Sequence, residues 1–466
     1  MTEPARGPVR MAGALTPGEA EVWGDEQEAV AGVLRWVADR VARSSDPKTT
    51  ARPASELAAA AGQTVTAQGI GWQRALDVFD RVLVPATRAQ DDPMNLAYIP
   101  SAPTRASVAF DLATSAANVF AGLWEVGAGA IHAENEALAW IASLLGWPAT
   151  AGGTFVSGGT MGNLSALVTA RETIRARRGI QHPPGGWAMA CTAEAHSSIR
   201  VAARAMDVDV VPVAEDARGH LTGRALAAAL GDRQDVFAVV ASAGTTNAGV
   251  VDDLADVAAV CAERGLWLHV DGAYGGAALA APSVRHRFRG IEAADSFIVD
   301  PHKWLFAPYD CCALVYRDPR TARAAHSQHA TYLDEVDREE WNPSDLAMHL
   351  TRRARGLPFW FSLAVHGTQR YQAAIERALA VAREVAAGID AAEHLRLVQP
   401  PELSVLLFER PGWGPEEYRA WSSEQAHAGT ILCLPTGWGG RTVMRLAFVN
   451  PATQPERVLE ALATMR

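Results

Sequence analysis

The chain has 466 residues, 49% of them hydrophobic and 20% charged, which is the composition of a globular protein large enough for several domains. The formal net charge of −10 argues against nucleic acid and anionic membrane surfaces as partners, because both attract clustered Lys and Arg. The sequence has no run of about 18 apolar residues and no apolar signal segment within residues 1–13, so we expect a cytoplasmic protein without membrane spans.

The five cysteines are odd in number and form no C-x-x-C pair. They are Cys191, Cys261, Cys311, Cys312 and Cys433. Disulfide frameworks use even numbers of cysteines, and zinc sites use short, regular spacings. We therefore expect no disulfide framework and no metal site, and a reducing cytosol fits this pattern.

Helical periodicity dominates the first part of the chain, in residues 28–41, 55–61 and 72–83. The polar stretch between the first two segments reads as a loop. We therefore predict an N-terminal helical arm over residues 1–100. Further helical pattern covers residues 104–147, where a glycine and a proline end it.

Residues 150–317 alternate short apolar runs with helical stretches. The runs predicted as strands are TFVS, WAMACT, VDVVPV, VFAVVASAG, LWLHVDG, SFIVD and CCALVYRD. Strands that alternate with helices indicate a mostly parallel sheet covered on both faces. The sequence thus predicts a large α/β domain over residues 101–365.

After residue 317 the sequence pattern changes twice. Residues 318–350 are polar and acidic, and we predict a long irregular excursion there. Residues 351–395 are helical again, and four short strand patterns then precede a final helix from Pro455. This order predicts a small α+β domain over residues 366–466.

Lysine is nearly absent from the chain. Only two of the 42 basic residues are lysines, Lys48 and Lys303, and the others are arginines. Lys48 lies in a polar stretch, whereas Lys303 lies in the hydrophobic run SFIVDPHKWLFAPY. A lysine kept there indicates chemistry that arginine cannot perform, such as imine formation. Chance retention is the alternative.

Three groups of polar residues follow predicted strands, where open α/β sheets bind ligands. Gly158-Gly159-Thr160 precedes a helix, whose free N–H groups and positive end suit a phosphate. Asp271 ends the strand LWLHVD, and a buried carboxylate needs a partner such as a protonated pyridine nitrogen. His302-Lys303 follows the next strand, so Asp271 and Lys303 are predicted to hold opposite sides of one planar ring. We expect burial to depress the pKa of Lys303 and keep it nucleophilic.

Two further positions complete the set. His196 follows the strand WAMACT and could stack on a planar ring, and the hydroxyls of Thr245-Thr246 could bond a phenolic oxygen. Asp252 and Asp253 are expected to cap the next helix. Each member of the set has a plainer interpretation: a common Gly-Gly turn, a turn-capping aspartate, an ion-paired lysine or a structural histidine.

The order of these motifs resembles the group II decarboxylases that depend on pyridoxal 5′-phosphate (PLP), the family of aromatic-L-amino-acid and glutamate decarboxylases. The resemblance extends over residues 93–451 and is carried by FVSGGTMGNLSAL, AEAHSSIR, HVDGAYGGAAL and ADSFIVDPHKWLFAPYDCCALVYRD. It implies a type I PLP-dependent, aspartate-aminotransferase-like α/β fold. It also implies PLP as cofactor, an amino acid as substrate, and a homodimer with active sites at the subunit interface.

The resemblance also implies roles for individual residues. Lys303 resembles the Schiff-base lysine, Asp271 the partner of the pyridine nitrogen, and His196 the ring-stacking histidine. The other residues that match cofactor contacts of the family are Ala273 on the opposite ring face, Thr246 near the cofactor oxygen, and Gly159, Thr160 and His302 at the phosphate. The residues that match a substrate-pocket segment are Tyr98, Ile99, Pro100 and Ser101.

Tyr332, in ATYLDEVD, resembles the tyrosine of the family's mobile catalytic loop. After CO₂ leaves, an acid must protonate Cα, and a phenol on a closing loop or the nearby His196 could do so. Relatives with Phe at this position resemble aldehyde synthases, so Tyr332 favours simple decarboxylation. An ordinary surface tyrosine is the alternative.

The chain departs from the family pattern at several positions. Gly272 stands where the family often has Ala, and Asp300 stands where it often has Asn, which adds a negative charge near the site. Gln90 stands where animal aromatic decarboxylases place Trp, and MNLAYIPS holds fewer aromatic residues than theirs. Phe120 and Trp124 could rebuild an apolar wall.

These observations predict a PLP-dependent L-amino-acid α-decarboxylase, a carboxy-lyase that forms an amine and CO₂ from an aromatic or bulky apolar amino acid. The alternatives on the same scaffold are oxidative decarboxylation and deamination to an aldehyde, decarboxylation of glutamate, diaminobutyrate or valine-type substrates, transamination, and C–S cleavage. An inactive PLP-fold binding protein is disfavoured, because a scaffold does not need Lys303, Asp271 and His196 together.

Overall fold

A computed structural model of the chain describes residues 26–43, 45–327 and 340–466. The described residues form two compact units. The first comprises residues 26–43 and 49–88, and the second comprises residues 45–48 and 89–466 apart from 328–339. The domain boundaries expected from the sequence at residues 100 and 365 stay predictions.

The first unit is helical where periodicity predicts helices. Its helices are α1 (Gln27–Ala42), α2 (Ala54–Ala61) and α3 (Trp72–Val78), the last continuing through a π-helical turn at Phe79–Leu83 and a 3₁₀ turn at Val84–Ala86. The Trp36 ring packs edge-on against Phe79 with 5.1 Å between centroids, and its Nε1 donates to Asp80 Oδ1 at 2.7 Å. This ring contact, with the indole N–H satisfied, ties α1 to the end of α3.

Seven strands of the second unit form one sheet. They are β1 (Gly152–Val156), β2 (Ala188–Thr192), β3 (Asp209–Val213), β4 (Val236–Ser242), β5 (Trp267–Asp271), β6 (Ser296–Val299) and β7 (Cys312–Tyr316). The spatial order is β1-β7-β6-β5-β4-β2-β3, and β3, β2, β4, β5 and β6 are parallel. β7 is antiparallel to both β6 and β1, so β1 points the same way as the parallel set. The predicted mostly parallel sheet is confirmed.

Helices cover both faces of this sheet. The helices up to the small domain are α4 (Arg105–Ala117), α5 (Trp124–Leu144), α6 (Gly159–Arg178), α7 (Ser197–Met206), α8 (Gly223–Leu230), α9 (Leu254–Arg264), α10 (Pro319–His326) and α11 (Leu357–His366). Every residue of the strands other than β3 is buried. In β4, Phe237 and Val240 enter one apolar cluster, whereas Val239 and Ala241 enter the other. Continuous apolar runs are what a strand covered on both faces requires.

A small antiparallel sheet follows. Its strands and helices are α12 (Thr368–Ala391), β8 (Arg396–Leu397), β9 (Val405–Glu409), α13 (Pro415–Ala428), β10 (Leu434–Trp438), β11 (Arg441–Ala447) and α14 (Pro455–Leu462), with strand order β10-β11-β9-β8. β10 pairs with β11 across a two-residue turn. Gly439 and Gly440 form that turn at φ +54° and +75°, which favours glycine.

The irregular excursion predicted for residues 318–350 is wrong in part. Pro319–His326 is a helix that Asp318 caps by accepting a hydrogen bond from the Arg320 N–H at 3.1 Å. Ala322 and His326 face inward, so a polar composition concealed an amphipathic helix. Tyr332 lies outside the described residues. None of the helices in the described ranges is both long and apolar enough to cross a membrane.

Candidate active site

One pocket lies at the C-terminal edge of the large sheet. Its lining residues follow β1, β2, β5 and β6, whose ends meet because these strands point the same way. The lining includes all the predicted cofactor contacts except Thr246: Gly159, Thr160, His196, Asp271, Ala273, His302 and Lys303. The lining residues not predicted as contacts are Ser157, Gly158, Asn163, Asp300, Tyr309 and Asp310.

The substrate-pocket segment and Thr246 are not among the residues that line this pocket. Tyr98 is 69% exposed, whereas the three residues after it are buried, and Ser101 Oγ donates to the Ala307 carbonyl at 2.9 Å. The carbonyls of Tyr98 and Thr246 both accept hydrogen bonds at 2.7 Å from the guanidinium of Arg445. The assignments of these segments as substrate and cofactor contacts stay predictions.

The start of α6 forms a cradle at the pocket. A Cβ added to Gly159 would lie 3.2 Å from Asp300 Oδ2 and 3.4 Å from the Ala273 Cβ, so a side chain there would crowd the space. No side chain caps the helix, because its N-cap residue is Gly158. Its first N–H groups and positive dipole end are therefore available to an anion, as the phosphate prediction requires.

Asp271 ends β5 between Ser242 and Ile298 of the neighbouring strands and is 7% exposed. Its Oδ1 accepts from the Ala273 N–H at 3.0 Å, so the expected turn cap is formed as well. Its Oδ2 accepts from Asn163 Nδ2 at 2.9 Å. Neutral donors thus orient the carboxylate, and no described cation forms an ion pair with it. Its charge suits a protonated ring nitrogen.

Asn163 connects Asp271 to His196. Besides Asp271, its Nδ2 donates to Ser198 Oγ at 2.9 Å, and this oxygen lies 2.8 Å from His196 Nδ1. Asn163 is 1% exposed, so its amide needs these partners. Sequence reasoning missed this residue. The available signal was its spacing of four residues from Gly159, which places both on one helix face.

His269 lies behind Asn163, with Nε2 at 2.8 Å from the amide Oδ1 and Nδ1 at 2.9 Å from Ser296 Oγ. It is fully buried. Burial lowers the pKa of His269 to about 4 against the opposing effect of Asp271. The neutral His269 ring donates a hydrogen bond from Nε2 to the amide oxygen of Asn163. This contact sets the orientation of the amide, so Nδ2 of Asn163 faces Asp271.

Lys303 reaches Asp300 across the pocket floor. Its Nζ lies 2.8 Å from Asp300 Oδ2, so the expected alternative of an ion-paired lysine is also realised. The expectation of a depressed lysine pKa is wrong: burial lowers the pKa of Lys303, but the Asp300 carboxylate, with a smaller contribution from Asp271, outweighs burial and the pKa is raised. Burial does lower the pKa of His302, whose Nδ1 is 2.7 Å from the Cys311 carbonyl.

Two other residues, in the motifs that carry the family resemblance, have structural roles. Trp304 stacks on Tyr274 with 5.3 Å between centroids, and Tyr274 Oη lies 2.6 Å from Ser404 Oγ of the small domain. Asp253 is the N-cap residue of α9, as expected, but the expected side-chain caps at Asp252 and Asp253 are wrong. Asp253 makes no side-chain cap, and the Asp252 carboxylate accepts from the N–H groups of Leu221 and Ser242 instead. Burial raises the pKa of Asp252 to about 7.

The residues present fit PLP. An amine stands opposite a fixed carboxylate, and a glycine cradle at a helix start lies beside both. Lys303 would hold the aldehyde carbon, Asp271 the ring nitrogen, and Gly159 with Thr160 the phosphate. His196 stands at the pocket with Nδ1 engaged by Ser198, so its ring is oriented.

A family model described as the pyridoxal-dependent decarboxylase conserved domain matches residues 56–410. An aromatic-L-amino-acid decarboxylase of Bacillus atrophaeus is 30% identical over 396 residues, which cover 81% of each chain. An L-2,4-diaminobutyrate decarboxylase of Rhizobium meliloti is 32% identical over 414 residues, which cover 84% of this chain and 82% of the relative.

Solved structures share the fold. Mouse CSAD superposes with a TM-score of 0.82 at 25% identity, covering 94% of this chain and 97% of the other. Oryza sativa TDC, solved with PLP and tryptamine, superposes with a TM-score of 0.84 at 24% identity. The superposition covers 97% of this chain and 98% of the Oryza sativa chain. The chain therefore belongs to the pyridoxal-dependent decarboxylase family, and it is a PLP-dependent amino-acid decarboxylase with the type I fold.

Proposed function

We propose that this decarboxylase converts an aromatic or bulky apolar L-amino acid to its amine. The charge of the pocket wall carries the proposal. With Lys303 and Asp271 committed to the cofactor, the carboxylate of Asp310 remains, and the described lining contains no arginine. A substrate with an acidic side chain would be repelled, whereas an apolar one can pack against the Tyr309 ring.

A diaminobutyrate-type substrate is the second candidate. Asp310 lines the pocket and its side chain is 45% exposed, so it could pair with a distal ammonium group. Its Oδ1 already accepts a hydrogen bond at 2.8 Å from Arg355 Nε. That ion pair reduces the attraction left for a substrate cation and favours the apolar substrate.

We assign the following roles to the chain's own residues. Lys303 Nζ holds the cofactor covalently, and Asp271, kept in place by Asn163, keeps the ring nitrogen protonated. The N–H groups at Gly159 and Thr160 bind the phosphate, and His196 covers one ring face. Bound PLP supplies an acceptor for the electron pair that remains at Cα when CO₂ leaves.

Return of a proton to Cα completes the reaction. We assign this step to the phenol of Tyr332, on the strength of its match to the family's catalytic tyrosine. His196 is the second donor, because Ser198 engages its Nδ1 and Nε2 is the other ring nitrogen. A donor that acts only after CO₂ has left gives the amine as product.

The substrate test is a panel of the twenty amino acids with diaminobutyrate, followed by CO₂ and amine release. We expect kcat/KM for the best aromatic or bulky apolar substrate to exceed that for glutamate and diaminobutyrate by at least about tenfold. Asp310→Asn is the matched control, since it removes a charge at constant shape and should leave apolar substrates unaffected. A preference for diaminobutyrate that disappears in Asp310→Asn would establish the second candidate instead.

The same assay separates the reaction types. Peroxide, ammonia or a keto acid in place of simple CO₂ and amine release would select oxidative deamination or transamination.

We further propose that the enzyme is a cytoplasmic homodimer, from its resemblance to type I decarboxylases. Light scattering on the purified chain at working concentration checks the dimer, and a mass of one chain would refute it.

A further inference from the structure

Asp300 follows β6 and is 2% exposed. Its Oδ2 lies 2.8 Å from Lys303 Nζ and 3.7 Å from His302 Nε2, while its Oδ1 accepts no hydrogen bond from a described residue. The same Oδ2 lies 3.2 Å from the Cβ position of Gly159, at the cradle assigned to the phosphate. A buried carboxylate thus stands between the reactive amine and the anion site.

The charge of Asp300 depends on Lys303. Burial acts to raise the pKa of Asp300, but the Lys303 ammonium and His302 outweigh it and hold the pKa below its usual value. The other titratable groups that face this carboxyl are Tyr309, Cys311 and Cys312, all with raised pKa and therefore neutral near pH 7, and Asp271 on the far side of the lysine. The first turn of α6 has no acidic residue.

Cofactor binding weakens the cationic partner that keeps Asp300 ionised. When the Nζ–carbon bond forms, the aldehyde oxygen leaves as water with two of the three ammonium protons. The third proton stays on the nitrogen, whose charge is then shared with the cofactor. The phosphate arrives at Gly159 at the same time. An ionised Asp300 would then be a buried carboxylate beside an anion, which is strongly unfavourable.

We propose that Asp300 takes up a proton from solvent as the apo-protein binds PLP, so that cofactor capture and protonation of Asp300 are one coupled event. This rests on the proposed role of Lys303. The protonated carboxyl becomes a hydrogen-bond donor at the edge of the phosphate cradle, which an asparagine would supply without titrating. Asp300 acts as a positioning residue that makes retention of the cofactor depend on pH.

The sign of the dependence follows from linkage. Asp300 has a higher pKa with cofactor bound than in the apo-protein, so between the two values the bound state holds one more proton. The affinity for PLP must therefore fall as pH rises, by up to roughly tenfold per pH unit for one proton. In the pH range where Lys303 is protonated in both proteins, Asp300→Asn preserves the shape and removes this contribution, and titration of PLP itself contributes equally to both.

The experiment is a PLP titration of the apo-enzyme across a pH series, followed by the visible absorption of the lysine-bound cofactor. We expect the affinity of the wild type to fall with pH more steeply than that of Asp300→Asn, by up to about tenfold per unit. Equal slopes would overturn the proposal. If Lys303→Ala retained the same absorption, the assignment of Lys303 would fail first, and this inference with it.

A second measurement uses only the wild type. The infrared difference spectrum between apo- and PLP-bound protein should gain a carboxylic-acid C=O stretching band when PLP is added. Absence of that band refutes proton uptake by a carboxyl group, whatever the stability of the variant. Thermal unfolding of Asp300→Asn verifies that the affinity comparison is made on a folded protein.

Discussion

Asn163→Leu removes the buried amide that holds Asp271, at nearly constant side-chain volume. The change deletes the 2.9 Å hydrogen bond to the carboxylate and leaves the Nε2–H of His269 without its acceptor at 2.8 Å. A hydrogen bond to a charged group contributes about 1.5–3 kcal/mol, and a buried unsatisfied donor costs about 1–3 kcal/mol. We therefore expect the free energy of unfolding to fall by about 2.5–6 kcal/mol.

Urea unfolding of the cofactor-free protein at fixed concentration measures this loss, and a PLP titration measures the accompanying loss of affinity. Ser198→Ala is the control for stability, because it removes a neutral partner of the same amide and of His196 and should cost about 1 kcal/mol. If Asn163→Leu cost no more than Ser198→Ala and left PLP affinity unchanged, the argument that Asn163 positions Asp271 would be refuted.

Three further predictions follow from the site. Lys303→Ala should abolish decarboxylation and the visible absorption of bound PLP, whereas Lys48→Ala, at the only other lysine, should change neither. Absorption retained without Lys303 would disprove that Lys303 binds the cofactor covalently. Tyr332→Phe should shift the product from amine toward aldehyde with ammonia and peroxide, measured by chromatography and a peroxide assay, and an unchanged product ratio would refute a role in protonating Cα. Burial lowers the pKa of His269 from 6.5 to about 4, so between these pH values its ring is neutral in the folded protein and protonated in the unfolded one. The free energy of unfolding should therefore fall as pH drops from 6.5 to about 4, and His269→Gln should flatten this pH dependence. Equal pH profiles of stability for the two proteins would contradict the argument.

Much of the fold could be predicted from the sequence, because periodicity and strand length are local properties. The strands that end at Asp271 and before Asp300 occupy neighbouring parallel positions, as their spacing predicts. The chemistry of Asp271 and Lys303 was foreseeable for a related reason. Each is a charged residue that follows an apolar strand, and such a residue needs a partner.

The partners of these residues could not be predicted in the same way. Asn163 and Asp271 are separated by 108 residues, and their contact depends on how α6 is rotated against β5. The raised pKa of Lys303 likewise depends on one contact with Asp300, which lies three residues earlier and shares its loop. The capping assignment of Asp252 failed because two other segments supply its hydrogen bonds.

Arg445 connects the small antiparallel sheet to two segments that lie outside it. It lies on β11, is 8% exposed, and its guanidinium donates hydrogen bonds to the carbonyls of Tyr98 and Thr246. Within the described chain no carboxylate forms an ion pair with it, so carbonyl oxygens alone solvate a buried cation whose pKa burial lowers to about 10. Deleting the C-terminal strands would therefore not yield a smaller working enzyme, because the segments at Tyr98 and Thr246 would lose their shared anchor.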